Sequence, residues 1–243
     1  MNKELSREFK IYIDFDGTIT SQDIGEKMFL EFGNPEDAKK IIIRWLNDEI
    51  NSKQVWEELC KTIKNFDKNI FDIFLSEMSI DDYFMEFLDY SRKHNFSLTI
   101  VSDGLDYYIN KISEREGFRH LNIYSNKLSF DENNNLIPSF PYTDEECTKC
   151  ANCKRNDILN TSADDDITIY IGDGWSDTCA AQYCDYIFAK KSLLKFCEQN
   201  SIPYYPFNNF YDVLRIVKQL RTKKKIKKRN IAYQKRKEIY MQG

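Results

Sequence analysis

The chain has 243 residues, of which 42% are hydrophobic and 30% are charged, and its formal net charge at pH 7 is −4. This length and hydrophobic content indicate a globular fold with one core domain and room for an insertion. No run of about 18 apolar residues occurs, so no membrane span is expected. Residues 1–8 lack the apolar stretch of a secretory signal, and we therefore predict a cytoplasmic protein with no membrane partner.

The first informative segment in chain order is residues 10–18, which read Lys-Ile-Tyr-Ile-Asp-Phe-Asp-Gly-Thr. A short apolar strand leads into Asp14 and Asp16, and residues two positions apart on a strand point to the same face. At the C-terminal end of a strand in an α/β sheet, that face opens onto the ligand crevice. Because paired carboxylates suit a hard cation that prefers oxygen ligands, we predict that Mg²⁺ binds here.

A helical insertion separates this strand from the next one. Asp14 and Ser102, which closes the next strand, are 88 positions apart, whereas a strand–helix–strand unit needs about 30 residues. Apolar residues at helical spacing and favourable terminal residues predict four helices in between. They cover residues 23–32, start at Pro35, are capped by Ser52, and lie around residues 70–75. We therefore predict a small helical cap over the crevice, formed by residues 21–80.

The rest of the chain alternates short apolar strands with amphipathic helices, which is typical of an α/β fold with a parallel, Rossmann-like sheet. We predict helices over 83–92, 107–116 and 210–220, and two more that end near residues 183 and 199. Strands are predicted over 97–102, 167–171 and 186–189, and a hairpin over 121–141. The predicted core domain comprises residues 1–20 and 81–220, and residues 221–243 form a basic C-terminal tail.

Polar residues that follow these strands and turns carry the chemistry. They are Ser102 with Asp103 and Gly104, then Lys154 after a cysteine-rich turn, then Asp173 and Asp177 after the third strand. Together with Asp14, they supply a carboxylate nucleophile, a hydroxyl donor, a cation and metal-binding acids. These groups can hold a phosphoryl group, offset its charge and attack its phosphorus.

These motifs, in this order, resemble those of the haloacid dehalogenase (HAD) superfamily of phosphatases across most of residues 9–217. The resemblance implies that Asp14 attacks phosphorus, and that Asp16 protonates the leaving oxygen and then activates water. It implies that Asp14, the backbone carbonyl of Asp16 and Asp173 hold Mg²⁺, with support from Asp177. The implied phosphate-binding residues are Thr18, Ser102, Asp103, Gly104 and Lys154. Asp16 also favours phosphatases over the superfamily's dehalogenases, because a halide needs no protonation.

The helical insertion after the first motif resembles the phosphoserine phosphatase-like branch of the superfamily. The Cys-x2-Cys-x2-Cys-Lys motif at 147–154 is similar to that of methionine-salvage phosphatases, which act on an enol-phosphate. Ser102-Asp103-Gly104 departs from their usual Ser-Gly-Gly, and an acidic residue there would repel a second anion or attract an amine. We expect a Mg²⁺-dependent phosphomonoesterase for a small phosphate ester, with the methionine-salvage enol-phosphate as the leading substrate. Phosphoserine, phosphoethanolamine and phosphocholine are alternative substrates, and a phosphotransferase or a non-catalytic binding protein is the alternative of another class.

Two residues are candidates for contact with the substrate. Asp23 lies nine positions after Asp14, near the place where a Glu of phosphoserine phosphatases contacts the substrate's amino group. It is equally suited to capping a helix. Trp175 lies inside the fourth motif, at the predicted crevice edge, where contact with substrate and packing between cap and core are both plausible roles.

Three of the seven cysteines, Cys147, Cys150 and Cys153, form a tight cluster in the sequence. Their spacing suits a structural Zn²⁺, although a closed tetrahedral site needs four ligands and no fourth Cys or His is adjacent. The alternative is a turn with reduced or partly oxidised thiols that presents Lys154.

Residues 221–237 carry ten Lys or Arg and no acidic residue. The segment is predicted to be a solvated or frayed C-terminal helix. The alternatives are contact with the acidic surface of its own or a neighbouring chain, or with an anionic partner. Because it lacks Gly-rich or regular aromatic patterning, nucleic acid is not the expected partner.

Overall fold

The computed structural model describes residues 8–145 and 147–242. The first seven residues of the predicted core domain, on which the compartment prediction depends, and Gly243 of the predicted tail lie outside the described residues. The strands of the described chain are β1 (Phe9–Ile13), β2 (Ser97–Leu105), β3 (Asn122–Phe130), β4 (Leu136–Ser139), β5 (Ile167–Gly172), β6 (Tyr186–Ala189) and β7 (Tyr205–Pro206). Their order in the sheet is β4-β3-β2-β1-β5-β6-β7. This seven-stranded, mostly parallel sheet confirms the predicted α/β fold.

Helices occupy most of the sequence between the strands. They are α1 (Ile24–Phe32), α2 (Pro35–Leu46), α3 (Ser52–Thr62), α4 (Lys68–Glu77), α5 (Phe84–Lys93), α6 (Asp106–Arg115), α7 (Lys154–Thr161), α8 (Thr178–Ala181), α9 (Lys191–Gln199), α10 (Phe210–Thr222) and α11 (Asn230–Gln242). The helices predicted over 23–32, 83–92, 107–116 and 210–220 are confirmed to within two residues at each end. Within residues 8–145 and 147–242, every helix is too short or too polar to span a bilayer.

The first compact unit of the fold contains the described parts of residues 1–14, 80–100 and 154–243. Its strands pair in parallel, and Ile11 of β1 lies opposite Leu98 on one side and Ile169 on the other. Ile11 and Ile169 are fully buried, as expected for a parallel sheet that is covered on both faces. The backbone N–H of Asp14 continues the ladder by donating to the carbonyl of Ile171 at 2.9 Å. The chain therefore leaves β1 and β5 side by side.

The second compact unit contains the described parts of residues 15–79 and 101–153. Helices α1 and α4 meet in an aromatic cluster, in which the ring of Phe32 lies 5.4 Å from the rings of Phe71 and Phe74. This cluster accounts for the apolar periodicity of the insertion. Strands β3 and β4 form the predicted antiparallel hairpin. The boundaries of the helical cap stay a prediction.

The third helix of the insertion begins with a different cap from the one predicted. Asn51, not Ser52, is the N-cap of α3: its side chain accepts from the N–H of Gln54 at 3.0 Å, and the Gln54 side chain accepts from the Asn51 N–H at 2.9 Å. Both residue types cap helices well, and the reciprocal bond to Gln54 favours Asn51. The Ser52 hydroxyl instead donates to the carboxylate of Asp103.

The basic C-terminal segment is packed on the first unit. Arg236 of α11 is only 1% exposed. Its Nη2 atom lies 3.3 Å from Asp185 Oδ1, and its Nη1 atom lies 3.2 Å from Thr168 Oγ1. The hydroxyl of Tyr240 donates to the carbonyl of Leu159 at 2.7 Å. Helix α11 is therefore packed on this unit rather than frayed, and Arg236 pairs with an acid of the same chain, Asp185.

Candidate active site

Three carboxylates lie together at the ends of two neighbouring strands. Asp14 follows β1, Asp173 follows β5, and Asp177 ends a short helical turn, Trp175–Asp177. One carboxylate oxygen from each lies within 4.8 Å of the others, and all three residues are buried. Gly172 leaves room for this arrangement, because a Cβ atom there would overlap the Asp177 carboxylate. The structure thus brings Asp14 together with two acids that lie more than 150 positions away in the sequence.

A buried lysine joins these carboxylates. Lys154 is the first residue of α7, and its side chain is 1% exposed. Its Nζ atom lies 2.6 Å from Asp14 Oδ1, 2.6 Å from Asp177 Oδ1 and 3.2 Å from Ser176 Oγ. Burial alone lowers the pKa of a lysine, but the two carboxylates outweigh this effect and hold the pKa of Lys154 above its usual value. The amine therefore stays charged beside Asp14.

The carboxylates themselves repel one another. Burial, followed by the charge of Asp177, raises the pKa of Asp14, and Lys154 offsets part of this shift. The same two causes raise the pKa of Asp173, whose Oδ2 atom accepts from Lys191 at 2.8 Å. A hard divalent cation relieves such repulsion and prefers oxygen ligands. Asp14 and Asp173 supply carboxylate oxygens within reach of one ion, and this donor chemistry fits Mg²⁺.

Asp177 is the most firmly held of the three acids. Its Oδ2 atom accepts from the backbone N–H groups of Asp173 and Gly174 at 2.9 Å each. Its Oδ1 atom accepts from the hydroxyl of Tyr170 at 2.5 Å as well as from Lys154. Both oxygens are thus committed to protein donors, which suits a residue that orients the cluster. Sequence analysis did not identify Tyr170 as part of the site.

Asp16, in the second unit, is held by hydrogen bonds from the backbone and from a tyrosine. The backbone N–H of Ile24 donates to its Oδ1 atom at 2.9 Å, and the hydroxyl of Tyr108 donates to its Oδ2 atom at 2.7 Å. Burial, followed by the charge of Asp23, raises the pKa of Asp16 to about 8. A carboxyl group that keeps its proton near neutral pH is suited to general acid catalysis. Sequence analysis missed Tyr108, and its position in the first turn of the helix after the second motif was the available signal.

The turn after Ser102 has no space for a side chain at position 104. A Cβ atom on Gly104 would overlap the Tyr108 hydroxyl and crowd the Asp16 carboxylate. The Gly104 N–H donates to Ser102 Oγ at 2.9 Å. Ser102 and Thr18 are each only 1% exposed. Gly104 is therefore needed for the hydrogen bond between Tyr108 and Asp16, in addition to its part in the turn.

Asp103 joins three segments of the second unit. Its carboxylate accepts from the Ser52 hydroxyl at the start of α3 and from the backbone N–H of Asn152 at 2.9 Å. Its carbonyl accepts from Asn126 Nδ2 at 2.6 Å. Asn152 Nδ2 in turn donates to the Ser102 carbonyl at 2.7 Å. Asp103 and Asn152 thus fix the backbone that carries Ser102, and no pattern in the sequence pointed to the part played by Asn152.

The family model described as "Putative Phosphatase" matches residues 9–201 of the chain. The chain belongs to this phosphatase family.

The relatives of this phosphatase include curated proteins named 2-hydroxy-3-keto-5-methylthiopentenyl-1-phosphate phosphatase. The one from Lysinibacillus sphaericus is 30% identical over 216 residues, which cover 86% of this chain and 94% of the relative. The one from Bacillus mycoides is 31% identical over 214 residues, which cover 87% of this chain and 96% of the relative. The predicted resemblance to methionine-salvage phosphatases is therefore confirmed.

Solved structures show the same fold. The phospho-aspartyl intermediate analogue of a phosphoserine phosphatase matches with a TM-score of 0.65 and 18% identity, covering 88% of this chain and 98% of the other. A substrate-bound phosphoserine phosphatase matches with a TM-score of 0.66 and 18% identity, covering 88% of this chain and 99% of the other. This phosphatase therefore has the fold of the phosphoserine phosphatases.

The two candidate substrate contacts of this phosphatase differ in their surroundings. Asp23 is the N-cap of α1, and its carboxylate accepts from the N–H of Glu26 at 2.8 Å. The capping role considered for Asp23 is thus confirmed. Trp175 is 44% exposed. For both residues, contact with substrate stays a prediction.

The cysteine-rich turn of the phosphatase contains two thiols near each other. The Sγ atoms of Cys147 and Cys150 are 3.8 Å apart, and Cys153 is buried, with its N–H donating to the carbonyl of Tyr142 at 2.8 Å. In the described part of the chain, the side chains placed to bind one metal ion are the acids around Asp14, and the cysteines are not among them. The predicted structural Zn²⁺ therefore finds no support.

Proposed function

We propose that this phosphatase hydrolyses a small-metabolite phosphate ester through an aspartyl phosphate on Asp14. The observation that carries the proposal is the buried Asp14 carboxylate, held 2.6 Å from a charged Lys154 inside a three-acid cluster. Such a carboxylate is oriented, desolvated and placed beside a cation that attracts a phosphoryl group. Asp14, Asp173 and the Asp16 carbonyl would hold Mg²⁺, with support from Asp177, and the bound ion offsets the charge of the phosphoryl oxygens.

The reaction proceeds in two displacements at phosphorus. In the first, an Asp14 carboxylate oxygen forms a bond to phosphorus while the bond to the ester oxygen breaks, and Asp16 gives its proton to the departing alkoxide or enolate. In the second, Asp16 takes a proton from water, the water oxygen attacks phosphorus, and the Asp14–phosphorus bond breaks. Inorganic phosphate leaves, and both carboxyl groups return to their starting states.

The remaining site residues bind the phosphoryl group. Lys154 places its positive charge where negative charge develops on the phosphoryl oxygens, and it also reduces the repulsion between that group and Asp14. The hydroxyls of Ser102 and Thr18 donate to the phosphoryl oxygens, and Gly104 supplies the tight turn beside Ser102. Asp103 is a positioning residue, because its carboxylate accepts from Ser52 and Asn152.

We further propose 2-hydroxy-3-keto-5-methylthiopentenyl-1-phosphate as the substrate. Support comes from relatives of this name at about 30% identity that match nearly end to end. The acidic Asp103 was the one departure that argued for an amine-bearing substrate. Its hydrogen bonds to Ser52 and Asn152 give it a role within the protein, which weakens that argument. Phosphoserine remains the second candidate, because Asp23 contributes a negative charge close to Asp16.

The test is a phosphate-release assay on a panel of the enol-phosphate, phosphoserine, phosphoethanolamine, phosphocholine and an aryl phosphate. Each ester is assayed with Mg²⁺ and with a chelator. We expect Mg²⁺-dependent release that is fastest from the enol-phosphate and is lost in Asp14→Asn, while the matched variant Asp89→Asn, at a surface position, retains full activity. Radiolabel from the substrate that stays on wild-type protein and not on Asp14→Asn reports the aspartyl phosphate.

Different outcomes contradict different parts of the proposal. Faster release from phosphoserine overturns the substrate and keeps the chemistry. Release that is unaffected by the chelator overturns the metal requirement. Transfer of phosphate to added alcohols without release indicates a phosphotransferase, and no turnover of any ester indicates a binding protein.

A further inference from the structure

A second group of charged residues lies in the first unit, apart from the catalytic acids. It surrounds a cavity of about 550 Å³ beside β6, β7 and the segment that joins α10 to α11. The lining residues are Asp185, Tyr186, Ile187, Pro203, Tyr204, Tyr205, Lys223, Lys225, Lys227, Lys228 and Arg229. This volume is in the range of small-molecule sites. None of the lining residues belongs to the proposed active site.

The wall of the cavity is strongly basic. Five of its eleven residues are Lys or Arg and one is acidic, so the lining carries a formal charge of +4. The single acid, Asp185, is already engaged, because it accepts from Arg236 Nη2 at 3.3 Å and from the Thr168 N–H at 3.1 Å. The one carboxylate does not balance the five cations, so the lysines of the lining repel one another. An anion in the cavity would relieve this repulsion.

Arg229 anchors the basic segment at the edge of the cavity. Its Nη2 atom donates to the carbonyls of Ala181 and Gln182 at 2.7 and 2.6 Å, which fixes the guanidinium group. Its Nε and Nη1 atoms are shielded from solvent, so they face the protein and not the cavity. Burial also lowers the pKa of both Arg229 and Lys228, so these cations lie where an anion would stabilise them.

Tyrosine rings form the other part of the lining. The rings of Tyr186 and Tyr205 are nearly parallel, at 19° and 6.4 Å between centroids. The Tyr186 hydroxyl donates to the Lys227 carbonyl at 2.7 Å, and the Tyr204 hydroxyl donates to Glu198 at 2.9 Å. These bonds hold the rings in place beside the cations. Flat aromatic faces next to positive charge suit a ligand that has both a planar ring and phosphate groups.

We propose that this cavity is a second ligand site and that it binds a nucleoside di- or triphosphate. The lysines bind the phosphates, and the tyrosines contact the base. Several cations around one cavity match a polyphosphate better than a single phosphate. The site is independent of the phosphatase chemistry and of the substrate proposed above.

The test measures ATP binding to the full chain by isothermal titration calorimetry at physiological salt. Every protein carries Asp14→Asn, so that ATP is not consumed. We expect saturable binding that is weakened at least 10-fold in the double variant Lys225→Glu/Lys227→Glu. The matched control is Lys237→Glu, an exposed position on α11 outside the lining, and it should bind as tightly as the parent. Circular dichroism confirms that all variants are folded.

A comparison with tripolyphosphate tests the role of the tyrosines. We expect ATP to bind more tightly than tripolyphosphate, and Tyr204→Ala to weaken ATP binding while leaving tripolyphosphate binding unchanged. The proposal is overturned if ATP shows no saturable binding, or if the lining variant binds it like the parent. Equal weakening by Lys237→Glu would indicate unspecific attraction to the basic segment, and equal affinity for ATP and tripolyphosphate would overturn the assignment to nucleotides.

Discussion

Replacing Arg236 with Met tests whether the basic C-terminal segment stabilises the fold. The Arg236 side chain is 1% exposed, and it is paired with Asp185, whose side chain is fully buried, at 3.3 Å. The substitution keeps an unbranched apolar stem and removes the guanidinium group with its charge, so Asp185 loses its cation in a buried setting. Removing one partner of a buried ion pair costs about 3–5 kcal/mol. For a chain of this size, such a loss lowers Tm by about 6–20 °C.

The measurement is thermal and urea unfolding, followed by circular dichroism and by tryptophan fluorescence. Lys237→Met is the matched control, because it removes the same charge type from a neighbouring, exposed position and should change stability by less than about 0.5 kcal/mol. A double-mutant cycle with Asp185→Asn isolates the interaction energy between Arg236 and Asp185. We expect the double variant to lose less free energy of unfolding than the sum of the losses in the two single variants.

Equal effects of Arg236→Met and Lys237→Met would refute the reasoning. That result would mean that α11 contributes no more than a solvated helix and that the ion pair with Asp185 is energetically unimportant. Additive stability losses in the double-mutant cycle would refute only the claim that Arg236 and Asp185 stabilise each other. A large loss confined to Arg236 would show that this basic segment is part of the folded core.

The remaining predictions concern the active site. Tyr108→Phe removes a 2.7 Å hydrogen bond to Asp16 worth about 1–2 kcal/mol, so kcat should fall about 5- to 30-fold in steady-state assays. The pKa of Asp16 is raised to about 8, so the acid is protonated below this pH and deprotonated above it. The pH profile of kcat should therefore fall above pH 8 if leaving-group protonation limits the rate. Ser52→Ala and Asp103→Asn should each raise KM, and the two effects should be less than additive because the residues share one hydrogen bond.

Each of these predictions has a result that contradicts it. Wild-type kcat in Tyr108→Phe would show that the hydroxyl does not position Asp16. A flat pH profile across 7–9 would remove Asp16 from the rate-limiting proton transfer. Fully additive effects of Ser52→Ala and Asp103→Asn would mean that their hydrogen bond does not couple α3 to the turn after Ser102.

The sequence predicted the central strands and the acidic residues of the site. The apolar runs before Asp14, Ser102 and Asp173 predicted the central strands, because buried parallel strands are apolar on both faces. The polar residues at their ends followed from the rule that ligands bind at the carboxyl ends of such strands. Where two cap residues were adjacent, as at Asn51 and Ser52, the pattern alone chose the wrong one, since side-chain orientation decides between them.

The sequence did not predict the residues that hold Asp16 and the Ser102 backbone in place through hydrogen bonds. Tyr108 donates to Asp16 across 92 positions, and Asn152 donates to the Ser102 carbonyl across 50. A tyrosine or an asparagine in a helix or a loop has no periodicity that reveals such a partner. Asp103 looked like an acid that faces the substrate, and only its contacts with Ser52 and Asn152 showed a role in positioning.

The sequence by itself determined the class of chemistry, because the order and spacing of Asp14, Asp16, Ser102 and Lys154 are local features that resemble one family. The tertiary structure decided which of the charges are paired and buried. The basic tail shows the difference: its composition indicated a solvated segment, whereas Arg236 is buried against Asp185. Burial and pairing depend on how distant segments pack, and hydrophobic periodicity reports only which face of each segment is turned inward.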